Sequence, residues 1–234
     1  RSGVQYSNHY TYETGNPFLV SEISRNTSYD LAYKWLTFNL TYEHVSDPIY
    51  QTVEMYKDNT TIGLMRMING KSYNNVTSTL NLQPTFGIWH PMLSAMVEKQ
   101  WFELETRDGR YLNKPVAMFR FNNTFDTKWA MFSVMMTYIT KGYEENLYIY
   151  KPMFNTDLSI YKGFLKDCLT FQLYVNDVFG TNDSHIIGKY GKLKETIFDE
   201  FSTSKISLTV RYKFNVTRSK YKGTGAGQSQ KDRM

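Results

Sequence analysis

An all-β fold, built as an antiparallel meander, is what this sequence predicts, and three observations predict it. Lys205–Phe214 alternates strictly: Ile206, Leu208, Val210, Tyr212 and Phe214 share one face of an extended strand, while Lys205, Ser207, Thr209, Arg211 and Lys213 share the other. The composition is aromatic, with 19 Tyr and 15 Phe against 6 Pro in 234 residues, which favours strands. Several alternating stretches run to roughly 12–20 residues, where strands of globular sheets run to about 5–6. Strands of that length suit a tilted crossing of a bilayer, with oily residues on lipid and polar ones on a wet lumen. The fold class expected is therefore all-β, an antiparallel meander with the two faces of a transmembrane β-barrel.

Bulk properties bound the alternatives. A mean hydropathy of −0.49 and the lack of any apolar run of about 18 residues exclude a helical membrane protein, yet a barrel meets lipid with only every second residue. The lone Cys168 rules out an internal disulfide and weighs against a small disulfide-stapled fold. A net charge of +5 is mild, and its Lys/Arg cluster is confined to the C-terminal end, so a solvated tail is expected and nucleic acid is not a partner. Arg1–Tyr12 lacks the apolar core of a secretory signal, so a preceding part is expected.

Residues 1–26 are polar and Tyr-rich with a turn signal at Gly15-Asn16-Pro17, and read as an entry loop. Barrel strands are expected over 27–214. Tyr29, Leu31 and Tyr33 share a face before a reversal at Lys34-Trp35. Leu36, Phe38, Leu40 and Tyr42 then alternate with Thr37, Asn39, Thr41 and Glu43, and the strand runs on past a kink at Asp47-Pro48 to Tyr56. After a turn at Lys57-Asp58-Asn59, the stretch with Thr77, Thr79, Asn81, Gln83 and Thr85 on one face and Leu80, Leu82, Pro84, Phe86 and Ile88 on the other ends in a turn at Trp89-His90-Pro91. Met92–Thr106 is a further strand closed by the loop signal Arg107-Asp108-Gly109-Arg110.

Ala117, Phe119, Phe121 and Phe125 oppose Arg120, Asn122, Thr124 and Asp126, and Ala130, Phe132, Val134, Met136 and Tyr138 follow a tight turn at Thr127-Lys128-Trp129. Gly142–Tyr161 is extended with a break at Pro152. Leu169, Phe171, Leu173 and Val175 alternate with Thr170, Gln172, Tyr174 and Asn176 before an irregular stretch to Gly191, and Glu195–Phe201 leads into the closing strand. Residues 215–234 are a polar tail rich in Gly and Lys. Tight turns thus alternate with longer polar loops, and Trp35, Trp89 and Trp129 at the tight turns would gather on one rim as an interfacial girdle. The competing reading is a soluble or surface β-sandwich binding module, whose oily faces would be covered by a second sheet.

Asn16-Pro17-Phe18-Leu19 with Glu22 and Tyr29-Asp30-Leu31 resembles the Asn-Pro-x-Leu-x-Pro-Glu segment that opens a barrel hairpin in TonB-dependent receptors of the Bacteroidetes outer-membrane β-barrel type, with Ser21 where Pro is usual. Asn176-Asp177-Val178-Phe179-Gly180-Thr181 is similar to that family's segment before the last loop. Leu208–Phe214 followed by Ser219–Gly227 looks like its ending. The resemblance covers the chain from about Asn16 onward. It implies the C-terminal portion of a larger barrel, with outer-membrane lipid, an upstream plug domain, the TonB system and an unknown transported ligand as partners, in the bacterial outer membrane.

No residue is singled out as catalytic, as a metal ligand or as a cofactor contact, so an enzyme is not expected. The triplets at Asn39, Asn75, Asn122 and Asn215 match a glycosylation pattern, but a polar strand face produces such triplets unaided because residues two apart share it. His9, His44, His90 and His185 lack ligand spacing and read as exposed loop or turn residues. Glu103/Glu105 and Glu144-Glu145 read as solvated or lumenal charge, and Gly223–Gly227 follows a strand with no helix after it, unlike a phosphate loop. The loops around 57–75, 105–114, 140–145 and 183–195 are the expected extracellular surfaces, and Arg120, Arg211 and Lys213 the expected lumenal charges.

Overall fold

The structure is a computed structural model that describes residues 3–57, 59–106, 109–190, 193–199 and 203–214. The chain opens with β1 (Val4–Asn8) and β2 (Thr11–Thr14), then β3 (Ile23–Tyr33), β4 (Leu36–Ser46), β5 (Ile49–Tyr56), β6 (Asn59–Asn69), β7 (Tyr73–Leu82) and β8 (Trp89–Gln100). It continues through β9 (Phe102–Thr106), β10 (Gly109–Leu112), β11 (Val116–Asp126), β12 (Met131–Ile139), β13 (Gly142–Glu144), β14 (Leu147–Ile149) and β15 (Met153–Phe164). The last elements are β16 (Leu169–Asn176), β17 (Ser184–Tyr190), β18 (Leu193–Asp199) and β19 (Lys205–Tyr212).

Nine of these form one sheet in the order β3-β4-β7-β8-β11-β12-β15-β16-β19, every neighbour antiparallel. The other strands are excursions between wall strands. On one rim the connections β3–β4, β7–β8, β11–β12 and β15–β16 are tight. On the opposite rim the chain detours through the hairpins β5–β6, β9–β10, β13–β14 and β17–β18 before re-entering the wall.

The register aligns the alternation of every wall strand. Tyr29 is opposite Leu40, Phe38 opposite Leu80, Leu82 opposite Leu93, Phe121 opposite both Leu93 and Met136, Leu158 opposite Val175, and Leu173 opposite Leu208. A one-residue slip in any pair would turn its oily set to the other face, so the pattern itself fixes the pairing. On the reverse face Asn39, Asn75 and Asn122 stand with Thr41, Thr77 and Thr124, which accounts for those triplets; Asn215 lies outside the described residues.

The oily face is bare. Ile206 is 74% exposed and Leu208 66%, and among the described residues no second sheet is layered on it, so the arrangement is a wall and not half of a sandwich. The buried hydrophobic cluster instead joins Val45, Tyr50, Tyr73, Phe102 and Leu112 at the loop rim.

Several boundaries differ from expectation. Within 1–26, expected as a loop, β1 pairs with β2, and β2 joins β6 as a parallel pair, a departure from a purely antiparallel meander. The turn expected at Trp89-His90-Pro91 lies earlier, where Gly87 adopts φ +60° and Phe86 and Trp89 exchange backbone hydrogen bonds. Pro84 therefore sits in the connection between β7 and β8. Pro91 lies in β8 beyond its last pair with β7, Leu82↔Leu93, so its missing donor breaks no ladder bond on that side. The irregular stretch before Gly191 contains β17, and Leu193–Asp199 pairs back on β17 instead of leading directly into β19. The C-terminal tail lies outside the described residues.

Candidate functional site

The excursions are knit into one cap. Gln100, at the end of β8, is 2% exposed. Its side-chain amide donates to the carbonyls of Leu112 (2.6 Å) and Glu145 (2.8 Å), and its oxygen accepts from the Glu145 N–H (2.7 Å). Buried Asn146 donates to the carbonyls of Gln51 and Lys189, each at 3.2 Å, and accepts from the Lys189 N–H. Beneath these bonds Phe102 packs edge-on to Tyr50 and Tyr73. Gly142 is required by closeness: a Cβ there would lie 2.5 Å from the Pro115 carbonyl oxygen. Buried amides that satisfy backbone groups from other loops hold those loops in one arrangement, because separation would strand the partners out of water.

The entry segment is tied in the same way. Asn69 donates to the carbonyls of Val20 and Asp47 and accepts from the Val20 N–H, while Glu22 accepts from the Ile49 N–H at 2.7 Å. Against the β2-β6-β5 sheet lies a cavity of about 180 Å³ lined by Glu13, Thr14, Gln51, Met65, Arg66 and Met67. Sequence reasoning named no ligand contact, and these residues carried no signal because their convergence depends on the parallel β2–β6 pair.

Asp177 fastens the base of the last excursion. It adopts φ +44°, its N–H donates to the Asp157 carboxylate, and its own carboxylate accepts from the N–H groups of Thr181 and Asn182 and from the Thr203 hydroxyl; Ser204 donates to its carbonyl. Burial raises its carboxyl pKa, but the hydrogen bonds from Thr203, Thr181 and Asn182 outweigh burial and the net shift is downward. A depressed acid contributes stability that is present above its unfolded value and lost as pH falls through its folded one. Asp177→Ala should therefore loosen 178–204 at neutral pH by about 1–3 kcal/mol, with the difference from wild type shrinking below about pH 4. Hydrogen exchange of those amides checks it.

Glu145 was expected as solvated or lumenal charge. It is half-buried instead, with its backbone on Gln100 and the Tyr73 hydroxyl 3.5 Å from its carboxylate. Burial, and then the Glu22 carboxylate, raise its pKa. A raised acid destabilises the fold as pH climbs through its unfolded value, so Glu145→Gln, which keeps both backbone hooks, should increase protection of the cap at pH 7.5 and change nothing below about pH 4. The opposite case is Glu103, partly exposed, whose pKa is lowered first by a hydrogen bond from Lys71 and also by Arg110. Of the histidines, His9 is an exposed turn residue as expected, whereas His44 and His90 sit within β4 and β8, and His185 is buried in β17, 3.1 Å from the Lys151 ammonium.

The oily face is bounded by aromatic side chains. Trp35, Trp89 and Trp129 mark the tight-turn rim, and Trp101, with the Lys99 ammonium 5.8 Å from its ring centre, marks the other. From Trp89 to Trp101 the chain advances about 40 Å at ~3.4 Å per residue. A tilt of about 45° reduces this to roughly 29 Å, close to the ~30 Å hydrocarbon core of a bilayer. Comparison with protein families matches residues 2–212 to an outer membrane protein beta-barrel family. The chain belongs to this family.

As a member of the outer membrane protein beta-barrel family, the chain resides in the bacterial outer membrane, with its oily face on lipid and its polar face on the lumen. No curated protein and no solved structure matches it. The excursions expected as extracellular all emerge on one rim, with residues 58, 107, 108, 191 and 192 outside the described set. Arg120 and Arg211 fall on the lumenal face as expected, opposite Ser94 and Thr170. The girdle residue that sequence reasoning missed, Trp101, follows Lys99 by two positions and so shares its face, a signal present in the alternation but obscured where β8 passes into β9.

Proposed function

We propose that this chain forms wall strands of a TonB-dependent receptor, which recognises a ligand at its loop rim and passes it inward across the outer membrane without chemically altering it. The observation that carries this reading is the cap. Loops that share a buried core and bridging amides present a preorganised surface, which a binding site needs and a simple pore does not. The polar lumenal face and the likeness of Leu208–Phe214 to the receptor family's ending support it. On this reading a plug domain fills the lumen, and TonB supplies the energy.

The test is electrical. The protein extracted from outer membranes and inserted in planar bilayers should pass no steady ion current, because a receptor lumen is filled, and should conduct once mild urea displaces the filling. Large steady conductance without denaturant would mark a porin and sink the receptor reading.

A further inference from the structure

Near the tight-turn rim, the lumenal face of β15, β16 and β19 encloses a recess of about 90 Å³ lined by Tyr161, Thr170, Gln172, Thr209, Arg211 and Lys213. The register assembles it. Tyr161 is opposite Gln172, Gln172 is opposite Thr209, and Thr170 is opposite Arg211. Lys213 is held in line by a 2.8 Å bond from its N–H to the Cys168 carbonyl. Next to Thr170 on its other side is Gly163, which projects no side chain into the recess. The Asp167 carboxylate packs over that glycine and is not part of the lining.

Every lining side chain can donate a hydrogen bond, two are cationic, and none is acidic. Neither Arg211 nor Lys213 has an ion pair or a side-chain hydrogen bond among the described residues. An all-donor set with two unpaired cations suits an oxyanion, and a guanidinium can engage two of its oxygens at once. The volume corresponds to about three water molecules at ~30 Å³ each, enough for a carboxylate or phosphate group and too small for a sugar ring.

We propose that this recess binds the carboxylate or phosphate group of an acidic solute. The site stands on the lumenal path and not on the cap, so the inference rests on the transport reading and adds to it that the cargo is anionic.

Equilibrium dialysis of the detergent-extracted protein tests this, with inorganic phosphate in one arm and succinate in the other. Saturable binding is expected in at least one arm, and the tighter one identifies the head group. Arg211→Gln and Lys213→Gln should each weaken it about tenfold, the loss of one charge-assisted hydrogen bond. Arg120→Gln, a lumenal cation outside the recess, should change it less than twofold. Gln172→Leu, which preserves charge, should weaken it severalfold and so separates a built site from general attraction. Heat-modifiability on gels reports folding of each variant, and Arg211→Lys replaces any Arg211→Gln protein that fails to fold. Absence of saturable binding in both arms, or equal binding in wild type and the Arg211→Gln/Lys213→Gln double variant, overturns the proposal. Dialysis requires neither a plug nor energised transport, so a porin-like current would remove the receptor reading and leave this result standing.

Discussion

Phe121→Arg is expected to abolish stable assembly in the membrane. Phe121 lies at the middle of β11 on the oily face, opposite Leu93 on one side and Met136 on the other. A cation placed there meets acyl chains near the bilayer midplane, which costs about 2–4 kcal/mol for Arg, and the lost aromatic contact with lipid adds about 1.5–3 kcal/mol. A total of several kcal/mol is a large part of the ~5–15 kcal/mol that holds a typical domain folded. Asn122→Arg, one residue along, presents the same charge to the lumen and should be tolerated, as Arg120 already is on that face. Urea titration in lipid vesicles, followed by the shift in gel mobility of heated against unheated protein, measures both. Equal loss of stability in the two variants would refute the assigned orientation.

Gln100→Leu is the second large effect, and it should act on the cap while sparing the wall. Leu fits the apolar surroundings of Phe102 and Leu112 but satisfies none of three backbone partners: the Leu112 carbonyl, the Glu145 carbonyl and the Glu145 N–H. Each buried group left unpaired costs about 1–3 kcal/mol. The excursions 101–115 and 140–152 should therefore separate and admit water, and trypsin should cut after Arg110 and Lys141 much faster than in wild type. The unheated form should still migrate as folded protein, since Gln100 is the last residue of β8 and the ladder below it is intact. If cleavage rates were unchanged, the cap would not be the consolidated unit described here.

The wall was legible because its signal repeats. In β12, β16 and β19 every second residue is apolar, as it is over Leu36–Tyr42 of β4, and a period of two has only one structural solution. Legibility failed where period and element part company. The entry strands β1 and β2 carry too few apolar residues to register, and their place depends on a parallel partner, β6, that lies about 50 residues onward, as the pair Thr11↔Gly63 shows. Strand β17 reads as irregular because it is buried on both sides: His185, Gly188, Lys189 and Tyr190 are all buried, which erases the alternation. At the site, Arg211 was recognisable as a lumenal cation from its position in β19 alone. That it shares a recess with Tyr161 was not, because the two are 50 residues apart and their strands, β19 and β15, meet only through β16, which carries Gln172.

What the sequence determined by itself is the wall: strand identity, the face each strand turns to lipid, the order of pairing and the rim on which the long connections emerge. These follow from side-chain alternation, which is local, and from the need of each strand to bond the neighbour that follows it. What only the tertiary structure decided is the cap and the lumenal recess. Gln100 and Asn146 are unremarkable polar residues in the chain, Asp177 stands out only as part of a family-like segment, and all three become fasteners only when buried among backbone and side-chain partners from other loops. The physical reason is that a buried hydrogen bond is defined by where both partners end up, and no periodicity records that.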